Sequence, residues 1–180
     1  MKRSSARSLL LQTANMIVMR DGAANLTLDA VARQAALSKG GVLYHFPTKN
    51  ALLRAMVEGW LDEFDAAVEG VLADEQEVRG GWLRAFIRAS AAHPGPARES
   101  AAPLLAAIAH DMELLELVRE RTERWHLRAT EGQDPARATL LRLTADGLFW
   151  SELLGLAPPT GELRDRVVAL MLDLVEDGAE

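Results

Sequence analysis

Thr27, Ser38, Thr48, Asp111, Asp134 and Thr160 each stand ahead of a stretch whose apolar residues recur at helical spacing. A Ser, Thr or Asp oxygen accepts hydrogen bonds from the free N–H groups of a helix's first turn, so this punctuation commits the chain to successive helices. Leu10, Ala14 and Ile17 mark a first helix over about 6–20, stopped by Asp21-Gly22. Thr27 opens a second, short helix with the stripe Leu28, Val31, Ala32, Ala35, and Ser38 a third running to His45. Pro47 ends the third, and Thr48 caps a long fourth with the stripe Leu53, Met56, Trp60, Phe64, Ala67, Val71. Val78, Trp82, Phe86 and Ala89 mark a fifth, halted by "HPGP". A sixth is predicted over 101–110, where Pro103 is tolerable in the first turn. Asp111 caps a seventh, and Asp134-Pro135 opens an eighth reaching Leu154. Thr160 starts a ninth with Leu163, Val167, Leu170 and Leu174 on one face. No β-branched alternation bounded by hairpin turns competes with this pattern, so the expectation is an all-α chain of about nine helices.

Composition narrows the chemistry. Hydrophobic residues are 49% and aromatics only 5%, with no cysteine, which removes disulfides and thiolate metal sites. No apolar run approaches the ~18 residues of a membrane span, and "MKRSSARSLLLQ" lacks the apolar core of a signal peptide. The expectation is a cytoplasmic protein without membrane association. His93, His110 and His126 are not at the i, i+4 spacing of a helical histidine pair, so no metal is expected. Glu58, Glu116, His126 and Glu152 could meet in an all-α enzyme, but no nucleophile–base motif or phosphate-binding glycine loop accompanies them. The chain therefore reads as a non-enzyme without cofactor.

Charge is unevenly spread. Residues 1–50 hold seven Lys or Arg (2, 3, 7, 20, 33, 39, 49) against Asp21 and Asp29, a balance of +5. Because the whole chain is −6, residues 51–180 carry −11. A polyanion-facing N-terminal domain, 1–50, on an acidic helical body, 51–180, fits this asymmetry. Within the basic part, two short helices joined by "AAL" have the helix-turn-helix form, whose second helix lies in the DNA major groove. An ordinary corner between two helices has the same local pattern. Alanines 32, 35 and 36 let the two helices cross closely.

The stretch "TLDAVARQAALSKGGVLYHFPTKNALL" resembles the DNA-binding region of TetR-family transcriptional repressors. Thr27, Val31-Ala32, Ala35, Leu37-Ser38, Gly40, His45-Phe46 and Thr48-Lys49 fall at that family's pattern positions. Ala36 departs from it by replacing the turn glycine, which strains the residue if its φ is positive. Leu43 departs too, standing where an aromatic usually touches DNA, so Tyr44 beside it is expected to supply the hydroxyl.

On this reading Thr27, Ser38 and Thr48 meet phosphate oxygens at helix starts, and Lys49 adds a cation there. Lys39 is the candidate for guanine O6 or N7, while Gly40 and Gly41 let the backbone come close. With few base readers, part of the specificity is expected from DNA shape. His45 either meets phosphate or packs under Tyr44, and Phe46 belongs to the core.

The resemblance also implies a body that dimerises and holds a small-molecule effector whose binding moves the DNA-reading heads apart. It implies a repressor on a palindromic double-stranded operator, with helices eight and nine as the homodimer surface. There Leu140, Leu143, Gly147 and Leu154 recur at helical spacing, and Ala145 with Gly147 would allow close approach across a two-fold axis. A helix buried inside its own chain would give the same apolar pattern. Trp82, Phe86, Trp125, Phe149 and Trp150 are the implied effector-pocket residues, or plain core. A DNA-binding protein without an effector is the alternative function.

Overall fold

A computed structural model of the chain describes the backbone over residues 3–74, 81–92 and 96–176, and side chains over 6–74, 81–92, 101–102 and 104–175. The described residues form nine α-helices and one 3-10 turn, Ala23–Asn25, with no strand. The helices are α1 (Arg3–Asp21), α2 (Leu28–Gln34), α3 (Lys39–His45), α4 (Lys49–Asp74), α5 (Gly81–Ala91), α6 (Pro96–His110), α7 (Met112–Thr130), α8 (Pro135–Leu154) and α9 (Gly161–Glu176). The all-α expectation holds. Val78 and His93, singled out in the sequence, lie outside the described residues.

Capping places the helix starts. Thr27, Ser38 and Asp134 side chains accept from the N–H groups of Ala30, Gly41 and Arg137 at 3.1, 3.1 and 2.8 Å. Thr48 Oγ1 does the same for Ala51 N–H at 3.0 Å. Each cap satisfies a donor with no partner inside the helix, worth about 1 kcal/mol. The sixth helix departs from expectation: it begins at Pro96, so Pro103 lies in its interior and not in its first turn. The missing Pro103 N–H costs that helix one internal hydrogen bond.

The chain packs as two compact units. The first comprises Met1–Leu61 and Pro96–Val118. It runs past residue 50 to Leu61, within α4, and takes in α6, from later in the chain, which packs on α1 and on the 3-10 turn. Its core holds Leu10, Ile17 and Val18 of α1, Leu26, Val31 and Val42, Phe46, and Leu104 and Ile108 of α6. Burial at the start of α4 is broader than the single stripe read from the sequence. Leu52, Leu53, Ala55, Met56 and Val57 are all buried, an arc of about 200°, just over half the helix circumference.

The second unit comprises Asp62–Gly95 and Arg119–Glu180. In it α5 packs on α8 and α9. The small buried residues Ala85 and Ala89 on α5, and Ala138 and Ala145 on α8, permit close approach of helix axes. On α9 the inward residues are Met171 and Val175, whereas Leu163 and Leu170 of the expected stripe are exposed. Arg121 ties α7 to α4 through Asp62 and Asp65. Burial works against the Arg121 charge, but the hydrogen bond to Asp62 and the attraction of both carboxylates outweigh it and raise its pKa.

The turn between α2 and α3 is closed by Leu37 N–H donating to Ala32 O at 3.0 Å and Ala36 N–H donating to Arg33 O at 3.3 Å. That double bond pattern requires a left-handed residue just past the helix, usually glycine, and here Ala36 takes it at φ 54°. The predicted strain is present. Replacing the alanine removes a clash of about 1–2 kcal/mol, partly offset by the larger unfolded-state freedom of glycine. Ala36→Gly should therefore stabilise the chain by roughly 0.5–1 kcal/mol in urea unfolding. An equal or lower midpoint would contradict this account of the turn.

Candidate nucleic-acid interface and aromatic cluster

Helix α3 is two-sided. Val42 and Phe46 point into the core, and the Arg7 guanidinium lies 5.4 Å from the Phe46 ring centre. Phe46 is thus core, as expected. Lys39, Gly40, Leu43 and Tyr44 are exposed together, at the i, i+1, i+4, i+5 spacing of one helix face. Tyr44 is 66% exposed and Leu43 39%, so the tyrosine carries the larger free surface on this face. The His45 ring meets Tyr44 edge-on, with centroids 5.1 Å apart, which supports the packing alternative for His45. Gly41 is partly covered, and a Cβ there would lie 3.4 Å from Ser38 Oγ. At Gly40 the nearest atom to a Cβ would be that same oxygen, at 4.0 Å. Nothing inside the chain requires position 40 to be glycine.

Exposed hydroxyls stand at three helix starts in this unit. Thr27, Ser38 and Thr48 each use an oxygen lone pair to accept a backbone N–H. Their own O–H groups remain able to donate, and phosphate oxygens are pure acceptors. The same hydroxyl can therefore cap its helix and donate to an anion.

The two lysines have partners. Lys39 Nζ lies 3.0 Å from Asp29 Oδ1 and 3.1 Å from Oδ2, with both side chains more than half exposed. Asp29 was read in the sequence only as a first-turn acid, and the ten-residue separation hid the pair. Exposed pairs contribute about 0–1 kcal/mol, less than the ~1–3 kcal/mol of discrimination in a good guanine contact, so DNA can displace the aspartate. Lys49 Nζ donates to Ala24 O at 3.0 Å, turned toward the 3-10 turn.

In the second unit three of the five pocket candidates come together. Phe86 meets Trp82 and Trp125 with ring centroids 5.3 and 5.9 Å apart. Phe64 of α4, a member of the apolar stripe expected on that helix, completes the cluster at 5.2 Å from Phe86 and 4.9 Å from Trp125. The Trp125 indole N–H donates to Asp65, which fixes the ring. Phe149 and Trp150 pair edge-on with each other at 5.0 Å. Phe86 is 1% exposed and Trp125 9%, so both act as core in this conformation. Arg128 lies over the Trp82 ring at 5.1 Å, beside a cavity of about 140 Å³.

No group of three or more potential metal ligands occurs among the described residues. No described helix is long and apolar enough to cross a membrane.

Comparison with known proteins converges on one family. Residues 10–56 match the family described as bacterial regulatory proteins, tetR family. Residues 80–176 match the one described as Tetracyclin repressor-like, C-terminal domain. The HTH-type transcriptional regulator EthR of Mycolicibacterium smegmatis is 28% identical over 93 residues, which span 49% of this chain and 43% of that relative. Among solved structures, a protein of Pseudomonas aeruginosa PAO1 assigned as a transcriptional regulator superposes with a TM-score of 0.77 at 18% identity, covering 99% of this chain and 94% of that one. The multidrug binding protein EbrR, complexed with malachite green, gives 0.71 at 21% identity over 93% and 96% of the two chains. With an exposed α3 face in a helix-turn-helix and family matches across both parts of the sequence, the chain belongs to the TetR family of transcriptional regulators.

Proposed function

We propose that this regulator is a repressor that binds a palindromic operator as a homodimer and is released by a small, mostly apolar effector. The exposed α3 face, flanked by the hydroxyl-bearing helix starts, carries this reading. It offers Lys39 as a cation for guanine, Leu43 as an apolar contact suited to a thymine methyl, and a bare Gly40 backbone. The glycine gives the sharpest test. Because a Cβ at position 40 meets only Ser38 Oγ at 4.0 Å, Gly40→Ala should stabilise the free protein by up to about 1 kcal/mol. It should also weaken operator binding about tenfold by holding the backbone off the DNA. Lys39→Ala should flatten discrimination at one base pair per half-site by ~1–3 kcal/mol. Anisotropy titrations read both, and undiminished binding by Gly40→Ala would remove α3 from the groove.

Dimerisation through α8 and α9 is supported by the leucines those helices turn outward. Leu140, Leu143 and Leu154 on α8, and Leu163 and Leu170 on α9, are each about half or more exposed. The inward residues of α8 are Ala138, Leu141, Ala145 and Leu148. Ala145 is therefore spent inside its own chain and cannot help a close two-fold contact as the sequence suggested. Gly147 faces outward with open space around it. Gly147→Leu should fold normally yet sediment as a monomer, with unchanged circular dichroism. A dimer of unaltered mass would place the two-fold contact elsewhere.

The aromatic cluster is the proposed effector region, and the malachite green that EbrR carries, a cationic dye with three aryl rings, supports an aromatic-lined site for it. At about 140 Å³ the cavity beside Trp82 lies below the ~300–1,000 Å³ of typical small-molecule sites. An effector entering there would displace side chains, Arg128 over the Trp82 ring among them. A tenfold release from DNA requires about 1.4 kcal/mol of preference for the DNA-free state, and the coupling is reciprocal. Tryptophan-fluorescence titrations should thus show operator weakening the effector by the same factor. Compounds that bind equally well with and without operator would leave an effector-independent DNA-binding protein.

A further inference from the structure

A cleft of about 410 Å³ lies within the first unit, well away in sequence from the aromatic cluster, and falls in the size range of small-molecule sites. Its walls come from the 3-10 turn, the start of α4 and the end of α6. Leu53 and the alanines, Ala106 and Ala107 among them, make it mostly apolar. Lys49 supplies a cation whose described partner is a neutral carbonyl, that of Ala24. His110 stands opposite on α6, with Nδ1 2.8 Å from Ala106 O, which leaves Nε2 as the ring's other polar atom. The single acid in the lining, Asp111, is already engaged: its Oδ1 accepts the N–H groups of Glu113 and Leu114 at 2.9 and 3.2 Å, capping α7.

We infer that this cleft binds a small apolar monocarboxylate, with Lys49 as the carboxylate's ligand, and that its occupant competes with DNA for that lysine. The chemistry of the walls selects the ligand. The ionised carboxylate adds to the hydrogen bond a Coulombic attraction for the ammonium that the neutral Ala24 carbonyl lacks, so a carboxylate displaces that carbonyl. Leu53 and the alanines receive the apolar tail, and Lys49 repels a cationic ligand of the same shape. The competition rests on the DNA-binding reading above, in which Lys49 neutralises a phosphate. The site itself does not.

Isotope-labelled full-length protein titrated with benzoate, benzamide and benzylamine separates these points. Benzoate should shift the amides of Ala24, Leu53, Ala107 and His110 and bind at least tenfold more tightly than the other two. The shifts should vanish in Lys49→Met and in Ala106→Phe, which fills the cleft, while both variants keep dispersed native spectra. At fixed ionic strength, saturating benzoate should weaken binding to a random-sequence duplex severalfold for the wild type and leave Ala106→Phe unaffected. Equal binding of benzamide, persistence of the shifts in Lys49→Met, or absence of shifts would overturn the site. Benzoate binding without any change in duplex affinity would overturn the competition. Failure of the benzoate-free protein to bind duplex at all would count against the DNA reading, and the amide shifts would still decide the cleft.

Discussion

The four-residue turn around Ala36 is the constraint on which the proposed DNA-reading surface depends. Helix α2 must end and α3 must begin within Ala35–Ser38, and two backbone bonds back to Ala32 and Arg33 leave little freedom in how this happens. An alanine held at φ 54° persists because its surroundings over-determine it: α2 and α3 pack on each other, with Val31, Ala32 and Val42 buried. With that crossing fixed, Phe46 and Val42 can only point inward. Lys39, Gly40, Leu43 and Tyr44 are then turned outward on the opposite face. The orientation of the outer face follows from the burial of the inner one.

Side-chain oxygens do two jobs in this unit, most plainly at the short helices α2 and α3. Seven-residue helices such as α2 and α3 do not hold together by propensity alone. Tertiary packing and the Thr27 and Ser38 caps must supply the difference, so hydroxyls are needed at these positions for folding. Once placed there, they present O–H donors at the positive ends of helices, where anions are favoured. The second unit is organised otherwise. There α5 buries small and aliphatic residues against α8 and α9, and α4 and α7 are tied by Arg121 to Asp62 and by Arg128 to Glu69.

Much of this was legible in the sequence because it is local. Capping residues marked the starts of α3 at Lys39 and of α8 at Pro135, the expected ends near His45 and Leu154 agree with the structure, and the charge split pointed to a polyanion partner. What stayed hidden depends on partners distant in the chain. Pro103 looked like a helix start, yet Pro96 begins α6, and a proline inside a helix carries no local sign that tertiary packing will override it. The rings that Phe64 meets could not be read locally, because they lie on α5 and α7. Lys39 and Lys49 both read as free cations, while Asp29 and the Ala24 carbonyl hold them. The outward leucines of α8 and α9 were indistinguishable from core leucines by periodicity, since both faces of those helices are apolar.

The account stands on α3 entering the major groove with its outward face. Amide chemical shifts of the full-length protein, followed as duplex DNA is added at low salt, test this directly. The account predicts the largest changes at Gly40, Gly41 and Tyr44, and at Ala30 and Ala51, whose N–H groups are held by Thr27 and Thr48. Raising the salt should reverse them as counterions return to the phosphates. Changes confined to residues 81–92 and 119–176, with α3 silent, would contradict it.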